Sequence, residues 1–573
     1  MLRGETIDFV EDEFINIDTQ VNVFKGIPYA ETPVRFRPPE PKGKWNGTLD
    51  ALSYTYSCSQ YETIDLGDTF EYGEDCLFLN VYAPNNMTEY LPVMVFIHGG
   101  GYTTGSSMAH NYDGIPLAAV GHVVMVTINY RLGALGFLDT GDDASPGNFG
   151  LLDQVEALRW IRRNIRAFGG DNSSITIFGE SAGAGSVDFH VTSKLSRDLF
   201  DQAILESGTA VTPWSYQDYY EQNKVNEAFR LGGLLNCTTT DTQQLVECLR
   251  QVDDMLIEKT VSLNTIRMGP TIDGVFLDES PITMTERGDF KHCPMIVGFN
   301  RDEGTLLMPY IFPDLVLSKE APFIDKATFN QLVIEGLKLY NPFVPKILED
   351  AVKQEYVDWS QWDNDTYDFF DTINYMFGDE PFSCPSLKTA RAHATMTSEP
   401  VFLYFMTQVP TWSVFEMNGT GPGWLGAGHG EELQFVFGYP FIPQMRFAHG
   451  PMTNEEKELC VTFMKFWTNF AKSGNPSRED SSSSPGVGDW AWPEFTVPGL
   501  QYKELAVEMS VGQGIRADEC AFWNDFKVQL LTTLATMDQA ELQWREEFSA
   551  WQTDLEQWRM SFNEYQQEPY CEN

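Results

Sequence analysis

TIFGESAGAG, residues 176–185, joins a short β-branched run to the small residues of a helix start and sets Ser181 at the turn between them. Such a turn projects a side chain sharply from the end of a sheet. Gly179 and Gly183 leave the Ser181 hydroxyl unshielded, and the helix N-terminus favours the charge that develops on attack. Upstream, His98-Gly99-Gly100-Gly101 closes another apolar run, Val93 to Ile97, and offers backbone N–H groups to an oxyanion. Either piece alone also fits a glycine turn that merely permits tight packing. Together they argue for serine-based acyl transfer.

Around this pair, β-branched runs recur at Val93 to Ile97, His122 to Asn129, Ile175 to Phe178, Ala203 to Leu205, Met295 to Gly298 and Val401 to Phe405. Helical patterns separate them, such as Leu151 to Ile165, with apolar positions three and four apart. This alternation predicts a mostly parallel sheet covered on both faces. The N-terminal part reads as short strands and turns, including Val21 to Ala30. The region from Tyr219 to Ala390 is richer in helix and insertion. Ser473 to Gly488 reads as a surface loop, because Trp490, Trp492 and Phe495 resume soon after it.

With 573 residues, 42% of them hydrophobic, the chain can bury a large core. Its 38 Lys and Arg stand against 82 Asp and Glu, a net charge of -44 that repels nucleic acid and raises the local concentration of cations. The same acidity also serves solubility. No stretch is long and apolar enough to span a bilayer. Met1 to Val10 holds no signal-like apolar core, so export requires a leader beyond this sequence. Nine cysteines and six Asn-x-Ser/Thr sequons, at Asn46, Asn86, Asn172, Asn236, Asn364 and Asn418, point to an extracellular glycoprotein. No motif calls for a metal or redox cofactor, and acyl transfer through serine needs none.

The last forty residues differ from the rest. Trp544, Trp551 and Trp558 lie seven apart and continue to Tyr565, while Phe548, Leu555 and Phe562 form a second series offset by three or four. They draw an apolar seam along one helix. A helix folded back on the body is one outcome; chain association is the expected one, since exposed indoles are costly and Cys571 follows. The chain thus divides into a catalytic domain, 1–533, and an amphiphilic tail, 534–573.

At this point the chain resembles the type-B carboxylesterases, and among them the cholinesterases with a tryptophan-rich tetramerising tail. The likeness runs through Phe24-Lys25-Gly26-Ile27-Pro28-Tyr29, Glu74-Asp75-Cys76-Leu77, the GGGY loop ending at Tyr102, and NYRLGALGF at Asn129 to Phe137. It continues through GNFGLLDQ at Gly147 to Gln154, the Ser181 motif, DGVFL at Asp273 to Leu277 and NRDEG at Asn300 to Gly304. HGEELQFVFG at His429 to Gly438 and CAFWNDF at Cys520 to Phe526 complete it. The resemblance implies an α/β-hydrolase fold with a large mostly parallel sheet, helical insertions and a C-terminal amphipathic helix. It implies a triad of Ser181, Glu303 and His429, in the order serine, acid, histidine that this fold uses. Gly100, Gly101 and Ala182 would supply the oxyanion hole; His98 is the competing base.

Substrate expectations follow the departures. Cholinesterases place a tryptophan between the first two disulfide cysteines, where it stacks on the quaternary ammonium. Cys58 to Cys76 here contains none, only Phe70 and Tyr72 as late aromatics. Thr305, Leu306 and Leu307 follow the triad acid where aromatics are usual, Glu431 stands for a tyrosine, and Gly421 for a tryptophan, with Trp424 remaining. Glu180 and Glu431 would attract a cation by charge alone. On the acyl side, Asn264 and Ile266 fall where acetyl-selective members carry phenylalanines, beside Trp214 and Tyr102. These smaller walls predict acyl groups larger than acetyl, in a butyryl-tolerant cholinesterase or a broad carboxylesterase for neutral esters. A cholinesterase-like binding or adhesion protein is the non-enzymatic alternative.

The family's disulfides map to Cys58 with Cys76, Cys237 with Cys248 and Cys384 with Cys520, leaving Cys293 and Cys460 as buried thiols and Cys571 as the link between subunits. The tail implies a homo-tetramer, assembled around a proline-rich anchoring peptide and tethered or secreted without a membrane span of its own.

Overall fold

The structure, a computed structural model, describes residues 1–61, 71–220, 224–312, 318–340, 344–415, 423–448, 451–479, 484 and 486–536, with positions 544, 548, 551, 555, 558 and 559. The expectations at Phe70, Asn418, Gly421, Phe562, Tyr565 and Cys571 lie outside these residues.

Among the described residues, eleven strands form the main sheet. In chain order they are β1 (Glu5–Glu11), β2 (Ile17–Pro28), β3 (Phe78–Pro84), β4 (Leu91–Ile97), β5 (Val124–Ile128), β6 (Gly170–Glu180), β7 (Gln202–Glu206), β8 (Met295–Asn300), β9 (Val401–Met406), β10 (Gln501–Leu505) and β11 (Ser510–Gln513). Their order across the sheet is β11-β10-β9-β8-β7-β6-β4-β5-β3-β2-β1. The middle, from β5 to β10, is parallel, and the strands at either end pair antiparallel. Every expected β-branched run is one of the parallel strands, so the α/β-hydrolase architecture read from the sequence is present.

Alternation along each strand sorts its side chains onto two buried faces. Val93, Val95, Ile97, Ile175, Ile177, Ala203, Leu205, Met295, Val297 and Leu403 pack on one side. Met94, Phe96, Phe178, Ile204, Ile296, Phe402 and Tyr404 pack on the other. By the same parity, Glu180, Glu206 and Asn300 point to the second face.

Three helices hold the site from the two faces of the sheet. α1 (Phe149–Asn164) covers the first face and is buried along most of its length from Phe149 to Ile161. α2 (Ala182–Thr192) leaves β6 through the Ser181 turn and is buried along its whole length. On the second face lies α6 (Asn454–Ser473). Between them come the insertion helices, of which α3 (Asp254–Leu263), α4 (Phe370–Gly378) and α5 (Cys384–Met396) border the site. A π-helical turn, Asp379–Ser383, joins α4 to α5. α6 begins in a capping box, with Thr453 and Glu456 satisfying each other's backbone N–H groups.

All three implied disulfides form: Cys58–Cys76, Cys237–Cys248 and Cys384–Cys520. Cys293 and Cys460 are free and buried. No helix among the described residues is long and apolar enough to cross a membrane. The C-terminal helical run starts at Ala517, passes through a π turn at Phe522–Phe526 and continues to 536. Beyond it Trp544, Phe548, Trp551 and Trp558 are exposed, with Trp544 and Phe548 stacked at 5.2 Å between ring centroids. Leu555 is partly buried.

Cys384–Cys520 closes a loop of sequence separation 136. In the chain-entropy view such a loop contributes about 5 kcal/mol by restricting the unfolded chain. Replacing both cysteines by serine is expected to lower the urea midpoint and the Tm without changing the disulfides at 58–76 and 237–248. An unchanged midpoint would show that the C-terminal helix docks without this tie.

Candidate active site

β6 ends at Glu180, and the chain turns at once into α2 with Ser181 at φ 55° and ψ −122°. A non-glycine residue held there costs on the order of 1–3 kcal/mol. Its neighbours explain how the turn fits. A Cβ on Gly179 would lie 2.6 Å from the Ile97 carbonyl, and one on Gly183 only 2.0 Å from the same oxygen. The turn therefore presses directly on the end of β4. Ser181 N donates to Glu206 O at 2.8 Å and Gly185 N to Ser181 O at 2.9 Å, which fixes the serine against β7.

The glycine loop follows β4. Gly100, Gly101 and Tyr102 have φ of 100°, 60° and 61°, and a Cβ on Gly100 would strike Thr104 O at 2.3 Å. A Cβ on Gly99 would sit 3.1 Å from Ser181 Cβ, so this loop passes beside Ser181. His98 is buried beneath it, stacked on Tyr130 at 4.5 Å, while Tyr130 donates its hydroxyl to His98 O. Burial pushes the His98 imidazole down to about 4, a neutral prop for the loop.

The other two triad candidates come together across two loops. After β8, Glu303 is buried. Its Oε1 accepts from Asn300 N at 2.7 Å and Ser207 Oγ at 2.5 Å, leaving Oε2 to meet His429 Nδ1 at 2.6 Å. The histidine loop is stapled to the acid loop. Ala427 N donates to Asp302 Oδ2, Asn300 Nδ2 to Gly428 O, and Thr305 Oγ1 to Leu425 O. Asn374 Nδ2, from α4, holds the other oxygen of Asp302. His429 thus reaches Glu303 because the flanking backbone is hydrogen-bonded strand-like to it.

His429 Nε2 lies 3.0 Å from Glu180 Oε1. Burial disfavours the imidazolium, but the carboxylates of Glu180 and Glu303 outweigh it and hold the His429 pKa well above the usual range. The imidazole becomes a free base only on the alkaline side of an ordinary histidine.

The residues expected to line the substrate space separate into two groups. Tyr102 and Trp214 approach at 6.4 Å, and Trp214 meets Phe382 at 5.8 Å while donating Nε1–H to Pro381 O. Phe382 in turn lies 4.4 Å from the His429 ring, so an aromatic series leads from the glycine loop to His429. Ile266 is buried, and Leu306 and Leu307 are partly buried. Others are occupied elsewhere. Asn264 caps α3, its Nδ2 donating back to Thr260 O. Trp424 packs edge-on to Phe370 at 5.7 Å. Glu431 is clamped by Ser413 Oγ, Val414 N and Gln434 Nε2, and burial pushes its pKa up to about 8. It offers no free charge to a cation.

Phe382, Ser207 and Asn300 were not singled out for these roles in the sequence. Ser207 stands beside Gly208 one strand after the nucleophile, a small-residue pair that signals close approach. Phe382 carries no periodic signal, because it sits in a π turn.

Residues 10–523 match the profile of the carboxylesterase family. The chain belongs to that family. It is 35% identical over 578 residues to the acetylcholinesterase of Bungarus fasciatus, covering 97% of this chain and 91% of the snake protein. It is 36% identical over 572 residues to the cholinesterase of Mus musculus, covering 95% and 90%. As a member with this coverage, it is a serine hydrolase of the esterase type.

In Glu180→Gln the imidazolium loses one of its two stabilising charges, so the His429 pKa falls. The acid limb of kcat/KM against pH is then expected to move to lower pH, as pH-rate measurements on the free enzyme would report. A limb that stays in place or moves upward would show that Glu180 does not face the base.

Proposed function

We propose that this enzyme hydrolyses carboxylic esters through an acyl-enzyme on Ser181, with acyl groups larger than acetyl and alcohols that need carry no positive charge. The 2.6 Å contact between Glu303 and His429, on loops tied together, carries this reading. His429 takes the Ser181 proton as Oγ bonds to the ester carbonyl carbon, and N–H groups of Gly100, Gly101 and Ala182 donate to the resulting oxyanion. Collapse expels the alkoxide, which receives the proton from His429. A water then gives its proton to His429, attacks the acyl carbon, and Ser181 leaves with the proton restored. Glu303 holds the tautomer and offsets the imidazolium without being consumed.

On the alcohol side, Glu180 is matched by His429, Glu431 is clamped, and the span from Cys58 to Cys76 has no tryptophan. On the acyl side, Asn264 and Ile266 stand where acetyl-selective members carry phenylalanines, with Trp214 and Phe382 as the remaining rings, and Leu306 and Leu307 follow the triad acid where aromatics are usual. A second reading, choline esters, is favoured by the names of the two relatives. Catalytic efficiencies on acetyl and butyryl esters of choline and of an uncharged phenol separate the two. Butyryl esters are expected to exceed acetyl by about tenfold, the order of a few methylenes, with choline conferring no advantage. A strong acetylcholine preference would overturn the reading. Ser181→Ala is expected to abolish the acylation burst and reduce turnover by roughly 10⁴–10⁶-fold.

We also propose that residues 534–573 form a separate amphiphilic tail that gathers four chains, with a proline-rich peptide as a fitting core partner, in a secreted glycoprotein. Exposed Trp544, Trp551 and Trp558 support the tail, and among the described sequons Asn46, Asn86, Asn236 and Asn364 are exposed and open to glycans. Truncation after residue 533 should give monomers or dimers by sedimentation. A persistent tetramer would refute the tail's role.

A further inference from the structure

One row of residues crosses the second face of the sheet directly behind the nucleophile. Glu180 on β6 is in register with Glu206 on β7, Glu206 with Gly298 on β8, and Gly298 with Tyr404 on β9. Registered neighbours in a sheet point the same way, so two glutamates stand side by side. Gly298 leaves room for the Tyr404 ring: a Cβ there would lie 2.1 Å from it. From α6, Trp467 donates Nε1–H to Glu206 Oε1 at 2.7 Å. The other Glu206 oxygen, one Glu432 oxygen and the Tyr404 hydroxyl are all buried without a hydrogen-bond partner. Glu206, Glu432 and Tyr404 are inaccessible to solvent.

Resting on the esterase reading of Ser181 and His429, we propose that Glu206 is a positioning residue that works as a carboxylic acid: it keeps one proton in the Glu180–Glu206 pair, so that the pair's single negative charge stays on Glu180 against His429. Two adjacent carboxylates in a dry compartment cannot both ionise readily. Of the two, Glu180 has the imidazolium at 3.0 Å, while Glu206 has an indole N–H and no cation. The groups facing Glu206 are Glu180 from β6, Tyr404 from β9, Trp467 from α6 and Glu432 from the histidine loop, with Glu303 and His429 one step beyond. Burial, partly relieved by the Trp467 N–H and reinforced by Glu180, pushes the Glu206 pKa up to about 8. Burial together with Glu180, Glu206 and Glu303 raises that of Glu432 as well. Glu180 and Glu303 therefore bracket the base, and the two buried acids behind them stay neutral at neutral pH. Above about pH 8 the pair loses its proton, and the added negative charge behind Ser181 opposes the oxyanion that develops on attack.

Infrared difference spectra of the full-length wild type minus Glu206→Gln, at pH 7, should contain a protonated carboxyl C=O band that shifts in D₂O and disappears above about pH 8. No such band would overturn the proposal. In pH profiles of kcat/KM, Glu206→Gln should lose the alkaline fall of the wild type and keep the acid midpoint within about 0.3 unit. A midpoint lowered by about one unit or more would mean that Glu206 is ionised while His429 titrates, and would overturn it, the shift being the measure of a nearby charge. Trp467→Phe removes the N–H that favours the ionised acid, so its alkaline fall should move to higher pH; a fall that stays put or moves down counts against the assignment and needs no folded Glu206 variant. Absence of turnover in the wild type would overturn the esterase reading and not the buried acid, which the infrared band reads without substrate.

Discussion

Ser181 sits at a backbone conformation that few side-chain-bearing residues tolerate, at φ 55° and ψ −122°, between a strand and a helix that are both buried. Neither neighbour can relax to relieve it. β6 is hydrogen-bonded between β4 and β7, and α2 has no exposed face. The strain of about 1–3 kcal/mol is therefore held by packing that would have to be dismantled to release it. Gly179 and Gly183 make this possible by letting the turn touch Ile97 O at distances that a Cβ would forbid. Because Ile97 leads straight into His98 and the glycine loop, the same contact that forces the turn also brings the loop to the serine.

Charge is the second constraint, and it comes from strand register. The parity that sends Phe178 and Ile204 to the second face sends Glu180 and Glu206 there too. Strands in register stand about 5 Å apart, where two unit charges repel by about 3 kcal/mol even at an effective dielectric of 20. Among the described residues His429 is the cation-forming group that meets this pair, and it touches Glu180. The elevated His429 pKa and the neutral acids behind it are two sides of one arrangement: charge is concentrated where the imidazolium can use it and suppressed where nothing can.

The sheet was legible in the sequence because buried parallel strands need continuous β-branched runs, and each run from Val93 to Phe405 became a strand. The elbow and glycine loop were legible for a different reason: glycine is written into the sequence wherever backbones must touch. The pairing of Cys384 with Cys520 and the identities of Glu303 and His429 needed the family resemblance, since their partners are 136 and 126 positions away. The supporting shell escaped both. Ser207 and Asn300 hold Glu303 through loops whose geometry has no period, and Phe382 reaches His429 from a π turn. Glu431 looked like a charge for a cation, yet three donors around it were invisible one residue at a time.

A surface carrying a net charge of -44 acts on any cation that approaches, but it cannot by itself choose among esters. Selection requires charge or aromatic faces at the reacting centre. There Glu180 is already answered by His429, Glu431 is turned to the Ser413 loop, and the nearest rings, Trp214 and Phe382, lie in sequence with the base. A ring set so close to His429 acts on the atoms that react rather than on a distant alcohol. It shapes the space beside the carbonyl and shields the imidazole from water, which strengthens the Glu303 contact on which the base depends. On the ester reading proposed for Ser181, rings at that place would bear on the acyl side of the carbonyl, and discrimination among esters would follow from them.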